Sequence, residues 1–589
     1  MFARRKSVSA GLMLIASLMM SGSPAAQARQ TSSEASRQQE SGKGAATKEQ
    51  EAAKGTATEQ QEEGKGVATK DAAVATKDKS ATRFDIDEYR VEGDSVLPQI
   101  EVEEAVYPFL GPKRSSDDVE KARAALEKVY ASKGYQTISV TVPQQNVQGG
   151  VVLLKVSEMK VGRLRVKNSR YFDLEKIKAA APSVAEGKIP NFNAVTKDIV
   201  ALNQWPDRKV TPTLRAGVAP GTVDVDLNVE DKVPVHGSIE LNNRQSPNTT
   251  ALRSVATVRY DNLWQRGDSI SATYQVAPQR RSDAEVFSAS YLARTDIDWL
   301  NVLVYGVDSK SDVASVGGQS VIGPGQIIGG RAVMTLPARD GFFHSISIGA
   351  DYKHFAQIVS QGTTFAFSTP VTYVPVVASY SATWQRETGL TQLNAGLTFG
   401  LRGPGSEPFD FDQKRFKATQ NFIYLRGDVS DTEDLKGGAQ LFVKGQAQLA
   451  DQPLVSSEEF SLGGFDTVRG YLETEALGDS AVAGSVELRS PNFPEWLATV
   501  TKSASGEVQK MDGLNEFRLF VFGDAGRVKT LEPLLQQQAV FNLASYGIGT
   551  RFKLFDHING MAVFAMPVIS QAFTTANQPR VLFRISGDF

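Results

Sequence analysis

The 589-residue chain contains no cysteine, which excludes both a disulfide framework and a thiolate metal site. Histidine is scarce, with four residues and none in a ligand-spaced pair. Lys and Arg total 64 against 66 Asp and Glu, a net charge of -2 that offers no general basic signal for nucleic acid. HExxH, GxSxG and Walker sequences are missing, and "GPGQIIGG" from Gly323 has the wrong spacing for a dinucleotide fingerprint. Neither an enzyme nor a cofactor or metal is expected. Beyond the first 28 residues no apolar run reaches the length of a membrane-spanning helix. Alternating barrel strands would leave no such run either, so this last absence does not imply solubility.

What is present begins with Arg4, Arg5 and Lys6, an apolar run from Val8 to Met20, and Ala26-Gln27-Ala28. That order is expected of a signal peptide over residues 1–28, with cleavage before Arg29. Residues 29–82 are almost wholly Ala, Gly, Ser, Thr, Gln, Glu and Lys. Such a segment cannot bury enough apolar surface to offset its ordering entropy, and a solvated linker is expected. Its Ala, Glu, Lys and Gln keep a weakly helical tether as the alternative.

From 83 to 159 the pattern reads strand, helix, helix, strand, strand. The stretch "SSDDVEKARAALEKVYASKGY" places Val119, Ala122, Leu126, Val129 and Tyr130 on one helical face. Ser115 and Asp118 form an approximate capping box at its start, and Gly134 stands at its end. The same order recurs over 160–232, so the segment reads as two copies of one small α+β module. Each would leave an open sheet edge to which an extended peptide can add, although a spacer role is the plainer alternative.

From residue 233 to the end, segments of about ten residues alternate between apolar and polar. In "SISIGADYK", Ile346, Ile348, Ala350 and Tyr352 oppose Ser345, Ser347, Asp351 and Lys353. About sixteen such segments can be counted, an even number suited to a closed antiparallel barrel in a membrane. The acidic run "DVSDTEDLKGG" from Asp428 reads as a solvated loop. The final strand carries Phe583, Ile585 and Phe589 in one register, which resembles the C-terminal signal of bacterial outer-membrane barrels.

Two POTRA-like modules, a barrel of about sixteen strands, and "LGGFDTVRGY" in a long loop at about 452–480 together resemble the two-partner secretion transporters of the ShlB/FhaC/HecB family. The motif residues are Val468, Arg469, Gly470 and Tyr471, and a second motif falls on Phe522, Asp524 and Gly526. The resemblance implies that the loop folds into the lumen and that Arg469 pairs with Asp524. Alternation supports a lumen-facing carboxylate, because Phe517, Leu519 and Val521 share one face and Arg518, Phe520, Phe522 and Asp524 the other. The family's N-terminal plug helix has no amphipathic counterpart in residues 29–82. Also implied are a Gram-negative outer-membrane location with periplasmic POTRA domains and an unfolded, exported partner protein as cargo. Outer-membrane lipid, periplasmic chaperones and the barrel-assembly machinery follow as further partners. A barrel-assembly insertase of the same superfamily is the alternative, and a diffusion porin a weaker one.

Overall fold

The computed structural model describes residues 83–589 except 148, 206, 312, 317–318, 357, 362–364, 369 and 506–511. The expected signal peptide and linker lie outside the described residues. Two compact units follow, one ending at Val233 and the other spanning Pro234–Phe589.

The first unit holds two modules of like plan. The first comprises β1 (Phe84–Ile86), β2 (Glu88–Glu92), α1 (Gln99–Val106), β3 (Gly111–Arg114), α2 (Ser116–Ser132), β4 (Ser139–Thr141) and β5 (Val151–Ser157). β5 is central, parallel to β2 and antiparallel to β4. β1 and β3 form a separate ribbon that the sequence pattern did not suggest. The amide of Ser115 donates to Asp118 at 3.0 Å in a full capping box, which fixes where α2 begins. Val119, Ala122, Leu126 and Tyr130 then pack on Ile86, Val152 and Leu154 as a closed core.

The second module has β6 (Lys160–Lys167), α3 (Leu174–Ala179), α4 (Phe192–Leu202), β7 (Arg208–Ala216) and β8 (Thr222–Asp231). β8 is its central strand, parallel to β6 and antiparallel to β7. The modules are joined where α4 starts, because the Phe192 amide donates to the Gly134 carbonyl at 2.8 Å and Asn191 Nδ2 to the Lys133 carbonyl at 2.9 Å. Gly134 has φ +98°, and a Cβ there would meet Asn191 at 2.6 Å. Only glycine suits both the left-handed turn and this close approach.

The second unit is a closed barrel of sixteen antiparallel strands. Its first half contains β9 (Val235–Asn242), β10 (Arg253–Leu263), β11 (Asp268–Val276), β12 (Glu285–Arg294) and β13 (Leu300–Ser309). The short hairpin β14 (Val313–Val316) and β15 (Gln319–Ile322) precedes β16 (Gly325–Thr335) and β17 (Phe342–Phe355). A second hairpin, β18 (Ile358–Gln361) and β19 (Phe365–Ser368), precedes β20 (Val371–Gln385) and β21 (Gly389–Gly405). Helix α5 (Pro408–Lys414) leads to β22 (Ile423–Asp434) and β23 (Gln440–Ala450). The inner pair β24 (Phe460–Leu462) and β25 (Ala476–Gly478) is followed by β26 (Ser480–Arg489), helix α6 (Phe493–Ser505) and β27 (Leu514–Lys529). Last come β28 (Val540–Leu554), β29 (Ile558–Pro567) and β30 (Arg580–Asp588). The barrel closes where β30 pairs with β9, from Arg584↔Asn242 to Asp588↔Ser238.

Alternation decides which side chains meet which solvent. Val258, Ile348, Leu425, Val482, Val486, Leu519, Val521, Ile548 and Val581 are exposed on the outer wall. Ser345, Asp351, Thr432, Glu487 and Asp524 are buried on the inner one. An outward apolar belt over an inward polar wall is the arrangement a bilayer requires of a barrel.

The acidic run from Asp428 is a strand rather than a loop, which corrects the sequence reading. β22 begins at Ile423 and carries Arg426, Asp428, Ser430 and Thr432 on the parity opposite Leu425 and Val429. The remaining outward charges, Asp431 and Glu433, stand at the strand end, where both take Arg386 at 2.8 Å. Neutralised in this way, they do not oppose strand formation.

The inward loop as candidate functional site

Residues 451–479 connect β23 to β26 and turn back into the lumen. Their base is the short pair β24–β25, in register from Phe460↔Gly478 to Leu462↔Ala476. Around the wall, Lys353 of β17 meets Glu458 at 2.6 Å, Tyr424 of β22 donates to Glu458 at 2.7 Å, and Arg244 beyond β9 meets Glu473 at 3.0 Å. Contacts so widely spaced mean that the loop crosses the lumen instead of lying along one side.

The tip carries the motif. Gly463, Gly464 and Gly470 have φ of +107°, +97° and +94°, so the reversal uses backbone that favours glycine. Val468 is fully buried among Leu462, Tyr471, Ala481, Ala483, Val528 and Leu543. The Tyr471 hydroxyl donates to the Ile569 carbonyl at 2.7 Å, and Gly470 lies against Ala565 and Pro567 of β29. Apolar packing thus fixes the loop where it docks on the inner wall.

Arg469 grips Asp524 with two parallel bonds, Nε to Oδ2 and Nη2 to Oδ1, each 2.7 Å. Its backbone amide donates to the same carboxylate at 3.0 Å. The guanidinium also lies 3.7 Å from the centre of the Phe522 ring. Bidentate geometry and a stacked aromatic face suit arginine and not lysine. With 4 % of the Arg469 side chain and 0 % of the Asp524 side chain exposed, water does little to screen the pair. Gly526, two residues on, leaves room for Leu462, whose Cδ1 would stand 2.6 Å from a Cβ at that position. Each member of the strand motif therefore touches the loop, as ring, carboxylate and gap.

A second carboxylate, which sequence reasoning missed, completes the arrangement. Glu487 of β26 accepts from Arg469 Nη1 at 2.5 Å and lies 2.7 Å from Arg489 and 3.2 Å from Arg551. Ser485 Oγ accepts from Arg469 at 3.0 Å. Alternation in "SAVAGSVELR" does place Ser485, Glu487 and Arg489 on one face. The meeting of Ser485 and Glu487 with Arg469 beside Asp524 depends on the register Ser485↔Asp524 between β26 and β27, which no single strand reveals. At the loop base Arg415 binds Glu459 and, at 2.7 Å, Asp479, while Asp479 accepts from the Leu454 and Leu531 amides at 2.6 Å. Asp524, Glu487 and Asp479 are each held by several cation or amide donors, so the network is built to hold a loop in place.

Phe583, Ile585 and Phe589 are not part of this site. They belong to the closing edge, where Phe589 exchanges backbone hydrogen bonds of 3.0 and 2.9 Å with Gly237 and its ring covers that glycine.

The fold and the latched loop define a class: a closed sixteen-stranded outer-membrane β-barrel preceded by a POTRA domain. Comparison with known proteins agrees and narrows it. Residues 84–158 match the ShlB-type POTRA domain, and residues 375–552 match the haemolysin secretion/activation protein ShlB/FhaC/HecB. Two segments of the chain thus match models of that family, and the resemblance read from the sequence is borne out. Among curated relatives, the outer membrane transporter CdiB of Dickeya dadantii is 23 % identical over 210 residues, 35 % of this chain and 37 % of that one. CdiB of Escherichia coli strain 536 is 22 % identical over 412 residues, 67 % of each chain. The match to the Dickeya protein thus spans little more than a third of that relative's length. In fold, CdiB from Escherichia coli aligns with a TM-score of 0.56 at 16 % identity, covering 88 % of this chain and 93 % of that one. BamA from Haemophilus ducreyi lacking POTRA domains 1–3 aligns at 0.52 with 13 % identity, covering 86 % and 100 %.

Proposed function

We propose that this protein is the transporter of a two-partner secretion pair. It captures an exported, unfolded partner protein through its POTRA domains and passes it through the barrel to the cell surface. The assignment of 1–28 to export, 29–82 to a tether, 83–159 and 160–232 to capture and 233–589 to passage belongs to the same reading. Its activity is transport without catalysis, and it needs no cofactor. Periplasmic chaperones would keep the cargo unfolded, and the barrel-assembly machinery would insert the transporter itself.

One observation carries the proposal: a loop fixed across the lumen by a buried, multiply bonded arginine. A diffusion porin has no use for such a latch together with a ShlB-type POTRA domain. In this reading Val468, Arg469, Gly470 and Tyr471 form the latch, and Phe522, Asp524 and Gly526 receive it. Phe583, Ile585 and Phe589 serve assembly.

The test is deletion of the gene. A large exported protein should then remain in the periplasm while other barrels assemble normally. A general loss of outer-membrane barrels would instead favour the insertase reading, which the shared fold with BamA keeps in view.

A further inference from the structure

One element of the barrel takes no part in the latch. At the barrel end where β9 begins, the connections between strands run from three residues, at 386–388, to six, at 336–341, with one exception. Residues 490–513 join β26 to β27 and contain α6 (Phe493–Ser505). Its first turns place Phe493, Trp496 and Leu497 at positions i, i+3 and i+4, one helical face, with Glu495 turned away.

Phe493 and Trp496 are 42 % and 47 % exposed, with ring centres 5.7 Å apart. Burial would normally claim such a pair. The helix is anchored, because the Phe517 amide donates to Asn492 Oδ1 at 2.9 Å and Asn492 Nδ2 donates to the Asn515 carbonyl at 3.2 Å. It is also directed outward, because Phe493 meets Phe517 edge to face at 6.5 Å. Phe517 shares its strand parity with Leu519 and Val521, both exposed on the apolar belt. The aromatic face of α6 therefore continues the lipid-facing wall of the barrel.

The tryptophans of the barrel support the same placement. Of the five in the chain, Trp264, Trp299, Trp384 and Trp496 are exposed at this one end, and Trp384 stacks on Phe342 with ring centres 4.4 Å apart. Indole rings favour the headgroup boundary, where one side meets apolar chains and the other meets water.

We propose that α6 is an interfacial anchor. It lies in the headgroup boundary of the periplasmic leaflet, with Phe493, Trp496 and Leu497 toward phospholipid and Glu495 toward water. Because it joins β26 to β27, it pins to the membrane surface the hairpin that carries Glu487 and Asp524. The inference does not depend on what the barrel transports.

The cysteine-free chain makes the test direct. Leu497→Cys and Glu495→Cys, about 200° apart around a helix of 3.6 residues per turn, would each carry one environment-sensitive fluorophore. The full-length variants, first checked for barrel folding by heat-dependent migration, would be placed in vesicles of phosphatidylethanolamine and phosphatidylglycerol. At position 497, lipids bearing a nitroxide near the headgroup should quench several-fold more than aqueous iodide, and at 495 the order should reverse. Equal iodide quenching at both positions would place the helix in water and overturn the proposal. Protection of position 497 from both quenchers would mean that protein covers it, which also overturns it. Trp496→Cys, on the same face as 497, provides the check should Leu497→Cys fail to fold.

Discussion

Two carboxylates in this chain are each ringed by three cations, and their surroundings make them different devices. Glu487, inside the barrel, is met by Arg469, Arg489 and Arg551, whose side chains are 4, 9 and 23 % exposed. Asp226, on β8 of the second module, is met by Arg165, Lys167 and Arg215 at 43, 35 and 57 %. The count of charges is the same. In the module each cation keeps much of its hydration, so losing one partner leaves the others solvated. In the lumen an unpaired ion has little water to return to, and the remaining charge bears the full desolvation cost. Burial of the cations, more than the number of ion pairs, separates the two, because the Asp226 side chain is itself as buried as that of Asp524.

The largest effect should come from breaking the latch. Asp524→Ala leaves Arg469 buried beside Glu487 alone and should destabilise the docked loop by about 3 to 5 kcal/mol. The measurement is protease cleavage within residues 451–479 of the membrane-embedded protein, which should rise sharply while the barrel stays folded. Resistance equal to wild type would show that apolar packing and the other ion pairs hold the loop without the latch. Arg469→Lys keeps the charge but loses the fork and much of the stacking on Phe522, so its cleavage should fall between the two. Next in size is Gly526→Val. Its Cβ would stand 2.6 Å from Leu462 Cδ1, at the far end of a flexible side chain, so that chain can yield in part. Overpacking of this kind costs about 1 to 3 kcal/mol, and loop cleavage should increase accordingly.

The reach of sequence reasoning follows the same division between local and long-range order. Period-two alternation is local, and it is enough to put Arg518, Phe520, Phe522 and Asp524 on the inner wall. The count of sixteen strands follows from the same signal repeated. Alternation failed at β22, where Asp431 and Glu433 lie beyond the apolar belt, and strand polarity there depends on Arg386, which precedes β21. Glu487 was hidden for a related reason, since its role is set by register with β27 and by a loop arginine 18 residues away. Helix α6 has an amphipathic pattern but sits where a short turn is usual, so nothing nearby drew attention to it. Contacts set by register and loop docking are properties of the closed barrel, and no single segment encodes them.

The smallest effect should appear in the module cluster, and its size depends on pH. A hydrogen bond from Lys167, reinforced by Arg165 and Arg215, holds the Asp226 carboxyl below its ordinary value, against the burial that would raise it. A carboxylate whose folded pKa is depressed stabilises the fold above its unfolded pKa, near 4 for aspartate. That contribution is lost as pH falls through the lower, folded value. The urea midpoint of the module, followed by protease resistance of residues 83–232, should therefore hold from about pH 7 to 5 and decline below about 4. Asp226→Asn should lower the plateau slightly and weaken the acid decline, because the replaced group no longer titrates. Salt adds a second contrast, since about 1 M NaCl shortens the screening length to roughly 3 Å. It should erase most of the difference between wild type and Asp226→Asn while leaving the difference between wild type and Asp524→Ala largely intact. Equal salt sensitivity in the two pairs would mean that water reaches the latch as freely as it reaches the module surface, and the distinction between the clusters would fail.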